Sequence, residues 1–397
     1  MTNEFTIKLN ERESEKVRKG YPLIEKDAVK SQALPNEEGA LLKIVDQSGA
    51  FLAKGYYGIQ NKGIGWILST RKEEIIDRDF FVRRINEAFS KREQLFEDGN
   101  TTAFRVFNGD GDGIGGITID YYDGYYVFTW YSEGIYHFHK QLYAAFEQVT
   151  SFKAIYEKKR FAKQGKYVED DDFVMGSRGQ FPLLVKENGI HFAVYLNDGP
   201  MVGVFLDQRQ VRKRIHDQYS EGKTVLNTFS YTGAFSAAAA LGGAVKTTSV
   251  DLAKRSLPKT IEQFSVNGID YEAQDIVVMD VFNYFSYAKK KNKRFDLIVL
   301  DPPSFARSKK HTFSAAKDYT GLLQEAIEIT ERQGVIVAST NSSAFSMKKF
   351  KGFIKEAFRQ NGRKYKIAEE YSLPDDFKTT NHFPEGDYLK VCFIQLD

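Results

Sequence analysis

The sequence predicts an α/β protein whose C-terminal half is a doubly wound, mostly parallel sheet. From about residue 199, short apolar strands alternate with helical segments, which is typical of a parallel sheet with helices on both faces. Glycine or aspartate follows several of these strands, at the sheet edge where such folds bind ligands. Residues 1–77 and 78–197 show other patterns, so we expect three domains, the last being 198–397.

The bulk composition excludes several classes of protein. The net charge of +3 permits a nucleic-acid partner without requiring one. The single cysteine, Cys392, excludes an internal disulfide and a zinc site built from several cysteines, and we predict no metal site. The charged start, "MTNEFTIKLNERESEK", and the lack of any run of about 18 apolar residues predict a cytoplasmic chain without a membrane span.

The first 77 residues are predicted to form a small β barrel or roll. Glycines interrupt strand-like runs in "GALLKIVDQSGAFLAKGYYG", and "GIGWILS" is a further strand. The next stretch, "DFFVRRINEAFSKREQLF" (79–96), has helical spacing with charges opposite an apolar face. That face comprises Phe80, Val82, Ile85, Ala88 and Phe89.

The middle segment combines hairpin strands, "GGITIDYYDGYYVFTWY", with a helix, "YHFHKQLYAAFEQV". Its "NGDGDGIGG" matches the start of a calcium loop, but Ile119 stands where the loop needs a glutamate. It also matches GxGxxG, but a strand follows where a dinucleotide site needs a helix. We therefore interpret it as a turn.

Four residues mark the strand ends of the last segment. Gly233 follows "TVLNTFS", Asp251 ends "VKTTSVD", Asp280 ends "IVVMD" and Asp301 follows "FDLIVL". The glycine lets the backbone approach a ligand, and an acid at the second strand end suits a ribose diol. The series resembles the S-adenosylmethionine site of class I methyltransferases.

The stretch "LDPPSFARSK" (300–309) predicts a rigid turn beside that site. Pro302 and Pro303 fix their φ angles and lack N–H donors, and Phe305 can stack on a planar base. Asp301 lies at the position from which the methyl group would be presented.

Several stretches together resemble one known family. With "LDPPSFARSK", they are "GDGIGGITID", "GVFLDQR" (203–209), "LNTFSYTGAFS" and "GDYLKVCF". They resemble the bacterial large-subunit ribosomal RNA methyltransferases with an N-terminal PUA domain, described as cytosine-C5 methyltransferases. The resemblance covers nearly the whole chain. It implies a PUA β-barrel for 1–77, a small α+β domain for 78–197 and a Rossmann-like class I methyltransferase domain for 198–397.

The resemblance also implies the ligands and their site. The cofactor would be S-adenosylmethionine, the product S-adenosylhomocysteine and the partner 23S ribosomal RNA, while a homodimer stays open. Asp207, Gln208 and Arg209 would lie by the methionine part of the cofactor. The other expected cofactor-binding residues are Asn227, Phe229, Ser230, Tyr231, Thr232, Gly233, Ala234, Asp251, Leu252, Ser256, Asp280, Val281 and Asp301.

One departure changes the expected target atom. Cytosine-C5 members carry a cysteine after the strand equivalent to "GVIVAST", where this chain reads "STNSSAFS" with Asn341. Here it resembles the guanine-N7 methyltransferases. Carbon 5 of cytosine needs a thiolate catalyst, and Cys392 lies in an apolar run. The sequence therefore predicts methylation at a ring nitrogen, guanine N7, with catalytic residues Asp301, Pro302, Pro303, Phe305 and Asn341.

Four alternatives remain at this point. One is the family's cytosine-C5 activity, and another is a non-catalytic protein that binds RNA and S-adenosylmethionine. A nicotinamide oxidoreductase conflicts with the missing GxGxxG helix start. A small-molecule methyltransferase would not need the RNA-type first domain.

Overall fold

The structure is a computed structural model that describes residues 4–29, 33–60, 62–163, 166–167, 172–199, 201–307 and 312–397. The chain forms two compact units. The first contains the chain up to Leu183 together with Tyr195–Val202 and Asp375–Gly386. The second contains Leu184–Val194, Gly203–Pro374 and Asp387–Asp397.

The first unit begins with a five-stranded sheet. Its strands are β1 (Phe5–Lys8), β2 (Leu23–Glu25), β3 (Leu41–Val45), β4 (Phe51–Gln60) and β5 (Gly63–Ser69), with helix α1 (Glu11–Arg18) after β1. The order across the sheet is β1-β3-β4-β5-β2, in which only the β1–β3 pair is parallel. The predicted strand "GIGWILS" is confirmed as β5.

The helix expected over 79–96 is interrupted. Helix α2 (Arg78–Ser90) starts where the Asp77 side chain accepts from the Phe80 N–H, and a short α3 (Glu93–Glu97) follows. The prediction of one continuous helix was therefore wrong. The chain turns at Arg92 because its fully buried guanidinium pairs with Asp112 and also donates to the Asp376 carbonyl.

A second five-stranded sheet completes the first unit. The strands of this part of the chain are β6 (Ala103–Asn108), β7 (Ile117–Tyr122), β8 (Tyr125–Trp130), β9 (Ala154–Lys159), β10 (Ala162–Lys163), β11 (Lys166–Tyr167) and β12 (Phe173–Gly176). Its helices are α4 (Glu133–Tyr136) and α5 (His139–Val149). The sheet order is β12-β9-β8-β7-β6. The "NGDGDGIGG" stretch is confirmed as a turn, a single 3₁₀ turn at Gly109–Asp112 that leads into β7.

One buried core joins these two sheets. Tyr56 and Trp66 of the first sheet lie in the same apolar cluster as Phe104, Phe128 and Trp130 of the second. Removing the first 77 residues would therefore expose part of this core to water, at a cost in stability. The segment Asp375–Gly386 also packs within this unit, where Gly111 has no room for a Cβ because the Lys378 carbonyl lies against it.

The second unit is the predicted doubly wound sheet. A hairpin, β13 (Leu183–Glu187) and β14 (Ile190–Val194), precedes a seven-stranded sheet. The sheet strands are β15 (Thr224–Thr228), β16 (Lys246–Asp251), β17 (Asp275–Val278), β18 (Phe295–Leu300), β21 (Thr330–Thr340), β22 (Tyr365–Tyr371) and β23 (Lys390–Leu396), and a small hairpin pairs β19 (Phe305–Arg307) with β20 (Thr312–Ser314). The helices are α6 (Arg209–Arg214), α7 (Ala234–Leu241), α8 (Ser256–Ser265), α9 (Val281–Lys290), α10 (Ala315–Glu328) and α11 (Met347–Asn361).

The strand order is β17-β16-β15-β18-β21-β23-β22. The first five strands are parallel, and β23 pairs antiparallel with both β21 and β22. The order reverses between β15 and β18, so the switch point, where such sheets bind ligands, lies beside Gly233 and Asp301. Ser308 and Lys309, the last two residues of the proline motif, lie outside the described residues. No helix in the described ranges is long and apolar enough to cross a membrane.

Candidate functional site

The carboxyl ends of neighbouring parallel strands bring the predicted site residues to one edge of the sheet. Asp251 is the last residue of β16, Asp301 follows β18 and Asn341 follows β21. β15, which carries Asn227, pairs with both β16 and β18. Strand pairing, rather than nearness in sequence, therefore assembles this edge.

The loop after β15 has an unusual backbone. Phe229, Tyr231 and Gly233 all have positive φ angles, of 53°, 52° and 81°. Only glycine adopts such angles without strain, so the two aromatic residues are held there by their surroundings. Neighbouring bonds hold the loop, since Ser230 N–H donates to the Val250 carbonyl and Thr232 Oγ1 donates to the Gly203 carbonyl at 2.6 Å.

Gly233 is also required for space. A Cβ at this position would lie 2.5 Å from Cγ2 of Thr260 on α8. Real side chains do not approach so closely, and the φ angle independently favours glycine. The loop can therefore pass close to α8 only with glycine at this position.

The two central aspartates play different structural parts. Asp251 accepts from the Tyr231 N–H at 2.9 Å through Oδ2 and from the Ala253 N–H at 2.8 Å through Oδ1. It therefore fixes the loop while each oxygen keeps a lone pair for a ligand. Asp280 caps α9 through Oδ1, which accepts from the Phe282 and Asn283 N–H groups.

Several buried polar atoms at this edge have no partner among the described residues. Asn227 Nδ2 donates to Ser236 Oγ at 3.0 Å, but Oδ1 of Asn227 accepts nothing. The same is true of three further atoms among the described residues, Oε1 of Gln208, Oγ of Ser256 and Oγ1 of Thr260. A buried polar atom without a hydrogen bond is costly, so a polar ligand or ordered water must complete the hydrogen bonding of these four atoms. Two amide oxygens suit the ammonium and hydroxyl donors of S-adenosylmethionine.

The "LDQR" turn is anchored on both sides. Asp207 accepts from the Tyr388 hydroxyl at 2.9 Å, and Arg209 is buried at the start of α6. One turn further on, the buried Arg212 forms a two-pronged ion pair with Glu187 and donates to the Phe205 carbonyl. This network fixes the backbone that presents Gln208 to the strand ends.

Asp301 contacts this turn through Gln208. Its Oδ1 accepts from Nε2 of Gln208 at 3.1 Å, and the same Nε2 donates to Ser339 Oγ at 2.7 Å. Burial raises the pKa of the Asp301 carboxyl to about 6, the Asp207 carboxylate adds to this rise, and the hydrogen bonds from Ser339 and Gln208 oppose it. The carboxyl therefore binds its proton more tightly than an exposed aspartate does.

The proline turn and the asparagine turn meet beside Asp301. Pro302 is buried and Pro303 exposed, while the Phe305 ring is 64% exposed. An exposed phenyl ring at a ligand edge can stack on a planar base. The Ser304 hydroxyl donates to Oδ1 of Asn341 at 2.6 Å and so joins the two turns.

The remaining predicted residues lie around this edge. Ala234 and Val281 are the first residues of α7 and α9 and are buried, whereas Leu252 is 56% exposed. The sequence did not single out Ser304, Ser339, Thr260 or Tyr388. Only the first two carried a signal, as polar residues at a strand end or within the proline motif. The assignment of individual residues to the cofactor or the base stays a prediction.

Cys392 lies in the middle of β23, as its apolar surroundings predicted. The side chain is fully buried, its Sγ lies 3.8 Å from the Met347 sulfur, and burial raises the pKa of the thiol to about 12. Within the described residues, no group of three His, Cys, Asp or Glu side chains could hold a metal ion.

Comparison with known proteins agrees with this geometry. Residues 104–382 match the model of an S-adenosylmethionine-dependent methyltransferase family, and residues 7–70 match that of a PUA-like domain. The chain is 64% identical over 391 residues to YwbD of Bacillus subtilis (strain 168), which carries the provisional name of a ribosomal RNA large subunit methyltransferase. The match covers 98% of this chain and 99% of YwbD.

Other relatives give the same result. The chain is 30% identical to ribosomal RNA large subunit methyltransferase I of Aeromonas salmonicida (strain A449), with 90% of this chain and 91% of that one covered. The crystal structure of SMU.776, a provisionally named methyltransferase in complex with SAH, superposes with a TM-score of 0.92 at 38% identity. That match covers 98% of this chain and all of the other. The fold class and the cofactor expected from the sequence are thereby confirmed, and the chain belongs to the S-adenosylmethionine-dependent methyltransferase family.

Proposed function

We propose that this enzyme methylates a base of large-subunit (23S) ribosomal RNA, and that the methylated atom is guanine N7. The RNA substrate is supported by the PUA-like match over residues 7–70 and by relatives named ribosomal RNA large subunit methyltransferases. Ribosomal RNA as substrate implies that the enzyme acts in the cytoplasm.

The position of Cys392 is the observation that carries the choice of atom. Cytosine C5 becomes nucleophilic only after a thiolate adds to C6 of the ring. The one thiol of this chain is fully buried in β23, and a pKa of about 12 keeps it protonated at neutral pH. The residue after β21, where cytosine-C5 enzymes place their cysteine, is Asn341.

Methylation of a ring nitrogen requires fewer catalytic groups than methylation of cytosine C5. Guanine N7 already carries an in-plane lone pair, so it needs neither covalent attack nor a general base. When bound, S-adenosylmethionine supplies an electrophilic methyl group on a sulfonium. The chain's own residues would orient the base, with Phe305 stacking on its face, the proline turn fixing its plane and Asn341 contacting its edge.

The test combines a product analysis with a nucleophile knockout. We expect the enzyme to form 7-methylguanosine in 23S ribosomal RNA extracted from Bacillus subtilis lacking YwbD, as measured by mass spectrometry of digested RNA. Cys392→Ala should retain this activity once correct folding is shown by circular dichroism. RNA containing 5-fluorocytidine should form no covalent adduct. Formation of 5-methylcytidine, or an adduct through Cys392, would overturn the proposal.

A further inference from the structure

The side chains of Asn341 and Ser304 form a hydrogen bond between two turns at the sheet edge. Asn341 is exposed directly after β21, and Ser304 lies in the proline turn after the neighbouring strand β18. An asparagine side chain presents two different groups, an acceptor oxygen and a donor NH₂. Which group faces the substrate decides which base edge the side chain can read.

The contact indicates which group of the amide faces Ser304. Ser304 Oγ and Oδ1 of Asn341 are 2.6 Å apart. Bonds between two oxygens have a typical length of about 2.7–2.8 Å, whereas bonds between nitrogen and oxygen are centred at about 2.9–3.0 Å. The contact has the length typical of a hydroxyl that donates to an amide oxygen, in agreement with Oδ1 as the atom that faces Ser304. Within the described residues, Nδ2 of Asn341 makes no hydrogen bond.

The backbone of the asparagine turn is fixed independently. Nζ of the buried Lys390 donates to the Ser342 carbonyl at 3.2 Å and to the Tyr388 carbonyl at 2.9 Å. The Ser342 N–H donates to Thr340 Oγ1 at 3.3 Å. Because the backbone is held in this way, the remaining freedom of Asn341 lies in its side chain, and Ser304 restricts it.

We propose that Ser304 is a positioning residue that holds the Asn341 carboxamide by its oxygen, so that its NH₂ group donates to an acceptor on the target base. This inference rests on the proposed function. Guanine presents acceptors at N7 and O6 along one edge, whereas adenine and cytosine present amino donors where guanine has O6 or at the equivalent edge. A donor-only amide therefore favours guanine O6 and disfavours both amino bases.

The experiment is a double-mutant cycle on the full-length protein. Single-turnover formation of 7-methylguanosine is measured on 23S ribosomal RNA from Bacillus subtilis lacking YwbD. Ser304→Ala should slow the wild-type enzyme by about tenfold, the effect of one well-oriented hydrogen bond. The same change in an Asn341→Ala background should cause no further loss, because Ser304 acts through Asn341.

Three further variants separate orientation from general damage. Asn341→Asp keeps the shape and the oxygen that Ser304 holds but has no N–H donor, so it should be as slow as Asn341→Ala. Ser304→Thr keeps the hydroxyl and should restore the rate. Ser343→Ala is the matched control, since Ser343 is exposed in the same turn and forms no hydrogen bond within the described residues. Affinity for S-adenosylmethionine should not change in any of them.

The possible results separate a failure of the Ser304 role from a failure of the proposed function. An equal loss from Ser304→Ala in both backgrounds, no loss at all, or full activity of Asn341→Asp would overturn the role of Ser304. If the wild-type product were 5-methylcytidine, the proposed function would fail instead. If it were 7-methylguanosine without coupling between Ser304 and Asn341, only the present inference would fail.

Discussion

Gln208 and Asp301 are joined by a 3.1 Å hydrogen bond from Nε2 to Oδ1, although they lie in different parts of the second unit's sequence. The same amide nitrogen also donates to Ser339 at 2.7 Å, so both of its hydrogens are used inside the protein. Oε1 of Gln208 is left buried without a partner among the described residues. The contact therefore fixes the carboxyl group at the strand end and leaves the amide oxygen of Gln208 available as an acceptor.

Ionisation of Asp301 should be visible in the pH dependence of stability. Burial raises the pKa of this carboxyl to about 6, above its value in an unfolded chain. The protonated form is favoured in the folded state, so this contribution is present at low pH and is lost as pH rises through about 6. Relative to Asp301→Asn, the free energy of unfolding of the wild type should fall by up to about 3 kcal/mol between roughly pH 4 and pH 8.

Urea unfolding of both proteins without cofactor gives this difference directly. Asp270→Asn serves as the control, because it removes one exposed carboxyl from the same unit. A difference between wild type and Asp301→Asn that stays constant over the whole pH range would contradict the raised pKa.

Asp251→Ala should weaken binding of S-adenosylmethionine. The change removes the expected acceptor for the ribose and also leaves the Tyr231 and Ala253 N–H groups without their partner. The loss of the ribose acceptor, together with the loosened loop, should cost about 1–3 kcal/mol of binding free energy as measured by calorimetry. Asp270→Ala, in an exposed turn of the same unit, should bind normally. Wild-type affinity in a correctly folded Asp251→Ala protein would remove Asp251 from the site.

Two glycines with left-handed backbones allow strain to be separated from collision. Gly233 (φ 81°) faces Thr260, whereas a Cβ added to Gly362 (φ 78°) at the end of α11 would have no atom within 4 Å. Gly362→Ala should lower the free energy of unfolding by about 1–2 kcal/mol through backbone strain alone and leave cofactor affinity unchanged. Gly233→Ala should lower the free energy of unfolding by more than this, and it should also weaken cofactor binding. Equal effects of the two substitutions on cofactor affinity would refute a special role for Gly233.

The extent to which the sequence predicts this molecule depends on the range of the interactions. The strand ends at Asp251 and Asp301 were found because hydrophobic runs and their terminating residues are local signals. The break in the helix at Arg92 was missed, since it depends on Asp112 and on the Asp376 carbonyl far along the chain. The bond between Ser304 and Asn341 was also beyond prediction, because strand pairing brings together turns that are 37 positions apart.

We expect an arginine-lined groove of the first unit to bind the RNA backbone. A groove at the end of β5 and the start of α2 is lined by three arginines, Arg71, Arg83 and Arg84, together with Glu74 and Glu87. Arg83 pairs with Glu74 and Arg84 with Glu87, whereas Arg71 is exposed and forms no ion pair within the described residues. An uncompensated guanidinium beside two neutralised ones suits a phosphate of the RNA backbone.

Arg71→Ala should therefore weaken binding of 23S ribosomal RNA and reduce the slope of log affinity against log salt by about 1. Lys140→Ala on α5 removes the same charge from a residue that does not line the groove, and it should leave the slope unchanged. A point substitution is a sharper experiment than deletion of residues 1–77, because Tyr56 and Trp66 belong to the shared core of this unit. Equal salt slopes for the two variants, measured by filter binding, would exclude the groove from the RNA interface.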